Sequence, residues 1–100
     1  MRIEFADETL RKAAEVAEFR PKKWGPDLLK AYRKKINYLA NAVDDRDLRQ
    51  MKSLHLEKLS GDRKGTSSIR LNNQYRLILN FRTDIDGRTV IVLELSDHYH

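Results

Sequence analysis

Two arginines and a histidine-rich tail are the residues in this chain whose types and spacing could do chemistry. Ser67–Leu71, Gln74–Arg82 and Thr89–Leu95 read as three successive strands, with turns at Asn72-Asn73 and Asp86-Gly87. Alternation puts Tyr75, Leu77, Leu79 and Phe81 on one face of the middle strand. Ile69 and Leu71 before it, and Ile91, Leu93 and Leu95 after it, should share that face if helices cover it. This requires odd-length hairpin loops, such as three residues at Asn72 to Gln74. The opposite face then carries Arg70 directly across from Arg76, with Glu94, Ser96 and His98 on the neighbouring strand. Like charges facing each other across a strand pair repel. An anion between them removes the repulsion, and a phosphate matches two guanidinium forks. The competing reading is that each arginine pairs with a local carboxylate such as Glu94.

The chain ends Asp97-His98-Tyr99-His100. Histidine exchanges protons near neutral pH, so two histidines, a tyrosine and a carboxylate make an acid–base cluster. His98 and His100 with His55 are the ligands a zinc site would draw on. There is no thiol and no fourth ligand at motif spacing, so no metal and no cofactor is assigned. Ser60 to Gly65 is a loop between glycines carrying Arg63 and Lys64, for which the sequence offers no acidic counterpart.

The elements before these strands must position them. Arg2 to Ala6 alternates as a short strand. Asp7 is placed to cap a helix over residues 8–19, in which Leu10, Ala13, Ala14 and Ala17 recur at helical spacing and which Pro21 ends. Pro26 suits the first turn of a second helix over residues 26–43. Its apolar side is Leu29, Tyr32, Ile36, Leu39 and Val43, and its basic side Lys30, Arg33, Lys34 and Lys35. Trp24 and Tyr38 read as packing residues. Asp44 to Ser53 is polar, a loop with a short helical turn at Asp47 to Met51. Leu54 to Leu59 alternates weakly. The class is α+β: an N-terminal strand, then two helices packed on one face of an antiparallel sheet.

The chain has 100 residues and one domain is expected, spanning 1–100. Its 40% hydrophobic and 35% charged residues fit a folded domain with a charged surface, not a disordered chain. It has no cysteine, which excludes disulfide staples. Glu4, Asp7 and Glu8 stand where a signal peptide needs cationic then apolar residues. No apolar run approaches the roughly 20 residues of a membrane span. The expected compartment is the cytoplasm, with no membrane partner. A net charge of +5 favours nucleic acid, anionic lipid or an acidic protein as partner.

The second half resembles a known family. Leu56-Glu57-Lys58-Leu59-Ser60-Gly61-Asp62-Arg63-Lys64-Gly65 is similar to the signature loop of HigB-type toxins of the RelE superfamily, the plasmid maintenance killer group. Ser68-Ile69-Arg70-Leu71-Asn72-Asn73-Gln74-Tyr75-Arg76-Leu77 resembles the family's paired strands, and Tyr99-His100 its closing residues. The likeness spans about residues 54–100, and the first half agrees in architecture. Two positions depart from the pattern: Glu57 stands where some members carry a histidine, and His98 stands between Asp97 and Tyr99, so that either Asp97 is shifted by one or His98 replaces the usual acid.

The resemblance implies a RelE-like fold and a metal-independent endoribonuclease that cuts messenger RNA on the ribosome. It implies that Arg76 clamps the scissile phosphate with Arg70 in support. His98, Tyr99 and His100 would supply proton transfer and stacking, and Glu57 is a candidate base. Arg63, Lys64 and Lys58 would grip neighbouring phosphates. The implied partners are the ribosome, messenger RNA and a HigA-like helix-turn-helix antitoxin, with operator DNA reached only through the antitoxin complex. The alternatives are a non-catalytic basic module binding RNA or DNA, and a degenerate toxin that only binds its antitoxin.

Overall fold

The computed structural model describes residues 1–97. Strand β1 (Arg2–Phe5) leads into helices α1 (Glu8–Glu15), α2 (Pro26–Asn41) and α3 (Asp45–Gln50). Strands β2 (Glu57–Lys58), β3 (Ser67–Arg70), β4 (Tyr75–Asp84) and β5 (Gly87–Asp97) follow. The strands form one sheet in the order β1-β5-β4-β3-β2. The class is α+β as expected, but the sheet is mixed. β1 runs parallel to β5, which the long return through the helices permits, and the other pairs are antiparallel.

One core joins the layers. Leu10 and Ala13 of α1 and Leu28, Leu29, Tyr32 and Leu39 of α2 pack with Ile69, Leu77, Leu79, Val90 and Val92 of the sheet. Tyr32 is fully buried, and its hydroxyl donates to the Leu10 carbonyl at 2.7 Å, tying α2 to α1. Burial, with the charges of Asp7 and Glu15 adding to it, pushes its pKa up. Trp24 packs edge-on against Tyr32 with ring centres 4.9 Å apart, the packing role its sequence context suggested.

The helices are shorter than their periodicity implied. The Asp7 carboxylate caps α1 by accepting from the Leu10 amide, but the helix stops at Glu15, not residue 19. Arg33 is the physical reason. Instead of joining the basic face of α2, its guanidinium donates to the carbonyls of Ala13, Val16, Ala17 and Phe19. Helix-end carbonyls that need partners find them there. α2 stops at Asn41, so Val43 lies beyond the apolar stripe and is 75% exposed, while Ala42 is buried in its place. The polar segment after it contains a true helix, α3, whose cap Asp44 accepts from the Arg46 amide.

The strand register bears out one expectation and corrects another. Arg70 pairs with Arg76 and Ile69 with Leu77, across the three residues Asn72 to Gln74. β4 and β5, however, are joined by a two-residue turn at Ile85-Asp86, with Asp84 opposite Gly87. An even loop would set the inward faces out of phase. A bulge repairs this: Ile78 pairs with Glu94 and Leu79 with Val92, so Leu93 is left without an opposite residue. Leu95 keeps its inward place, but Val90 and Val92 fill the core where Ile91 and Leu93 were expected.

Candidate active site

On the sheet face away from the helices, Glu57, Leu59, Arg63, Ser68, Arg76, Ile78, Ser96 and Asp97 line an open cleft of about 450 Å³. Four strands and a loop supply it. β4 places Arg76 and buried Ile78 on the outward side, two residues apart. β3 brings Ser68 opposite Ile78, and β2 brings Glu57 opposite Ser68. β5 brings Ser96 opposite Arg76. The Ser60 to Gly65 loop closes one side with Arg63.

Arg76 lies at the bottom, its side chain only 14% exposed. Its Nε donates to the Ser68 hydroxyl at 2.8 Å, and one terminal nitrogen donates to the His55 carbonyl at 2.6 Å. The same nitrogen is 3.6 Å from a Glu57 carboxylate oxygen. His55 offers that carbonyl from a left-handed backbone position, φ 48°, just after a 3-10 turn at Lys52–Leu54. The guanidinium is therefore oriented by fixed acceptors and is not paired with Glu94. Glu57, with its side chain 60% exposed, stands at the mouth.

Arg70 and Arg76 are opposite in register but do not share one anion site through their guanidinium groups. Arg70 turns toward its own hairpin loop, donating to the Asn72 carbonyl at 3.3 Å and to the Asn73 side-chain oxygen. Arg63 has an acidic counterpart after all: a terminal nitrogen sits 2.5 Å from Glu94. This pair crosses the sheet from a loop to β5 and could not be read from sequence. Lys58 and Lys64 do not line the cleft. Lys58 pairs with Ser67, whose side faces the helices, and both lysines line a separate groove with Arg49 and Arg88.

His98, Tyr99 and His100 lie outside the described residues. The described chain ends at Asp97, on the cleft rim, where Asp97 accepts from the Gln74 amide nitrogen at 3.2 Å. Among the described residues no three His, Asp or Glu side chains gather in a metal-binding group. Sequence reasoning missed Ser68 and the His55 carbonyl as holders of Arg76. Ser68 could have been found, since a serine on the outward face beside two arginines is a ready acceptor. A backbone carbonyl leaves no mark in sequence.

The sequence matches, over residues 3–98, the family described as the RelE-like toxin of the type II toxin–antitoxin system HigB. The chain belongs to the HigB-like toxin family. It is thus a RelE-like toxin of a type II toxin–antitoxin system, which implies an antitoxin as partner. Its fold is similar to that of a YoeB/ParE toxin from Agrobacterium tumefaciens, with a TM-score of 0.58 over 99% of this chain and 100% of that one. Identity to it is 17%, so this likeness concerns the fold. No curated protein sequence matches the toxin. No helix among its described residues is long and apolar enough to cross a membrane.

Proposed function

We propose that this toxin is a ribosome-dependent endoribonuclease that cleaves messenger RNA in the cytoplasm. The observation that carries the reading is the oriented Arg76 guanidinium, recessed at the bottom of an open cleft beside an exposed carboxylate. A cation held by fixed acceptors before substrate arrives needs no reorganisation to stabilise a charged transition state. In the reaction the ribose 2′-oxygen bonds to phosphorus and the bond from phosphorus to the 5′-oxygen breaks. A base takes the 2′-hydroxyl proton and an acid delivers one to the leaving oxygen.

Arg76 is the phosphate clamp. Arg70 supports a neighbouring phosphate, and Glu57 is the candidate base. His98, Tyr99 and His100 follow the cleft rim in sequence and are the candidates for acid–base transfer and stacking. Arg63, Lys58 and Lys64 contact phosphates outside the cleft bottom. The two glutamates nearest the cleft each pair with an arginine and do not stand together as a magnesium site, which supports cleavage without metal. The antitoxin is proposed to be a HigA-like helix-turn-helix protein that carries the complex to operator DNA.

The test is induced expression without antitoxin, followed by mapping of messenger RNA 5′ ends. New ends inside translated regions, absent with Arg76→Ala, are the expected result. Growth arrest with intact messages would defeat the ribonuclease reading and leave binding alone.

A further inference from the structure

The positive charge of this toxin is not where the cleft is. From Glu8 to Asn41, the span of α1, α2 and their connection, there are nine Lys and Arg against four Asp and Glu. The rest of the chain is balanced, eleven against eleven, so the helix layer carries the whole net charge of +5. The two cation types are also used differently. Every ion pair among the described residues employs an arginine. In the helix layer Arg11 is held by Glu8 and Glu15, Arg33 by the carbonyls of Ala13, Val16, Ala17 and Phe19, and Arg20 by the carbonyls of Ala17 and Phe19. Of the lysines of this layer, Lys12 lies over the Phe19 ring and Lys34 and Lys35 over the Tyr38 ring, while Lys22 and Lys23 are exposed and in no ion pair among the described residues.

Within this layer the α1–α2 connection forms an apolar trough. Phe19, Pro21 and Trp24 make its floor and Arg20, Lys22 and Lys23 its rim. Lys22 and Lys23 are exposed. We propose that this trough docks an acidic segment of the antitoxin, anchored by apolar side chains between flanking carboxylates.

The chemistry favours a protein over RNA. Base stacking needs a free ring face. Phe19 has the Lys12 ammonium over its ring at 5.8 Å, and Trp24 is half-buried with Tyr32 edge-on at 4.9 Å. A duplex backbone has no use for an apolar floor, whereas a peptide buries side chains there while its carboxylates meet the lysine rim. The surface lies in the helix layer, on the opposite side of the sheet from the cleft. Bound there, the antitoxin would hold the toxin without filling the cleft. The inference rests on the family's toxin–antitoxin character and not on the ribonuclease reading.

The test uses the toxin and the antitoxin encoded beside it, co-expressed and purified as a complex, then separated for titration. Lys22→Glu with Lys23→Glu should weaken binding by at least about tenfold at low salt and flatten the salt dependence of the affinity. Both side chains are exposed, so the thermal melt should be unchanged. Lys58→Glu with Lys64→Glu, in the separate groove, should leave antitoxin affinity as it was. Unchanged affinity in the Lys22 and Lys23 variant overturns the proposal, as does failure of the wild-type proteins to associate. Lost ribosome association with unchanged antitoxin affinity also overturns it and assigns the surface to RNA. Message cleavage by the free variant is read in parallel and should persist, which separates failure here from failure of the ribonuclease reading.

Discussion

Arg76 donates to Ser68 at 2.8 Å across the β3–β4 pair, and this bond links the candidate clamp to the hydroxyl of a buried serine, a residue only 1% exposed. The residue is therefore more than one of two repelling cations on an open face, as strand alternation alone suggested. Arg76→Ala leaves Ser68 with a buried hydroxyl lacking its partner, at a cost of about 1–3 kcal/mol. The variant should still fold. Toxicity should fall by roughly a hundredfold or more, through loss of a charge-assisted contact made in the transition state. Arg76→Ala with Ser68→Ala should recover part of the stability and none of the activity. A thermal melt beside a growth assay on these variants separates the two effects. Full toxicity of folded Arg76→Ala would remove the clamp.

Leu77 and Val92 face the helices and are fully buried. Leu77→Ala should cost about 2–5 kcal/mol through the cavity it leaves. Val92→Ala should cost on the order of 1–3 kcal/mol, and Ile91→Ala, half-exposed on the other face, clearly less. Specific activity per folded molecule should hold in all three. Equal melting temperatures for the Val92 and Ile91 variants would contradict the register that the two-residue turn sets, with Val92 opposite Leu79 and Ile91 opposite Asn80.

Those two strands also show what the sequence could and could not reveal. Arg70 opposite Arg76 was legible because Ser-Ile-Arg-Leu and Tyr-Arg-Leu alternate cleanly on either side of a short polar loop. Val90 to Leu93 is a continuous apolar run, so alternation has no phase to read; the register set by the two-residue turn sends Val90 and Val92 inward, and the bulge then returns Leu95 to the same face. The parallel pairing of β1 with β5 needs tertiary context, since a lone short strand does not declare its neighbour. At the cleft, strand alternation pointed to Arg76 and the family resemblance to Glu57, while the Arg63–Glu94 pair joins positions 31 apart in sequence and emerges only on folding. The end of α1 was misjudged because Arg33, read as a surface cation, is occupied with carbonyls.

Arg33 gives the third expectation. Its Nε donates to Ala13 at 2.9 Å, and a terminal nitrogen reaches Val16, Ala17 and Phe19 at 3.1 to 3.3 Å. Arg33→Met keeps much of the aliphatic packing and removes the donors, which should cost about 1–3 kcal/mol. Arg33→Lys should rescue little, since one ammonium cannot reproduce a planar fork over several carbonyls. Amide hydrogen exchange should quicken at residues 16–20 before it does in the sheet. Because this segment forms the trough at Phe19 and Pro21, antitoxin affinity should fall as well. Unchanged exchange there would show that the carbonyls find other partners.

The last expectation concerns acid. Asp45 opens α3 and faces Arg88 of β5, with its two oxygens each 3.3 Å from that guanidinium, and Arg49 at 3.6 Å. Burial pushes its pKa up, but the Arg88 hydrogen bonds, its own backbone amide and the charges of Arg88 and Arg49 together hold it below the ordinary 3.8. Asp84 is lowered too, by Thr89 and Arg82. A carboxylate whose folded pKa is depressed binds fewer protons folded than unfolded. Its stabilisation is complete above the unfolded value and is lost as pH falls through the folded one. The urea midpoint should therefore hold from about pH 7 to about pH 5 as far as these groups decide it, then drop below about pH 4. Asp45→Asn should lower the midpoint at about pH 7, and the gap from the native protein should narrow in acid as Asp45 itself takes up its proton. A gap of the same size at both ends would mean that Asp45 acts by shape and hydrogen bonding, and that its charge opposite Arg88 contributes nothing.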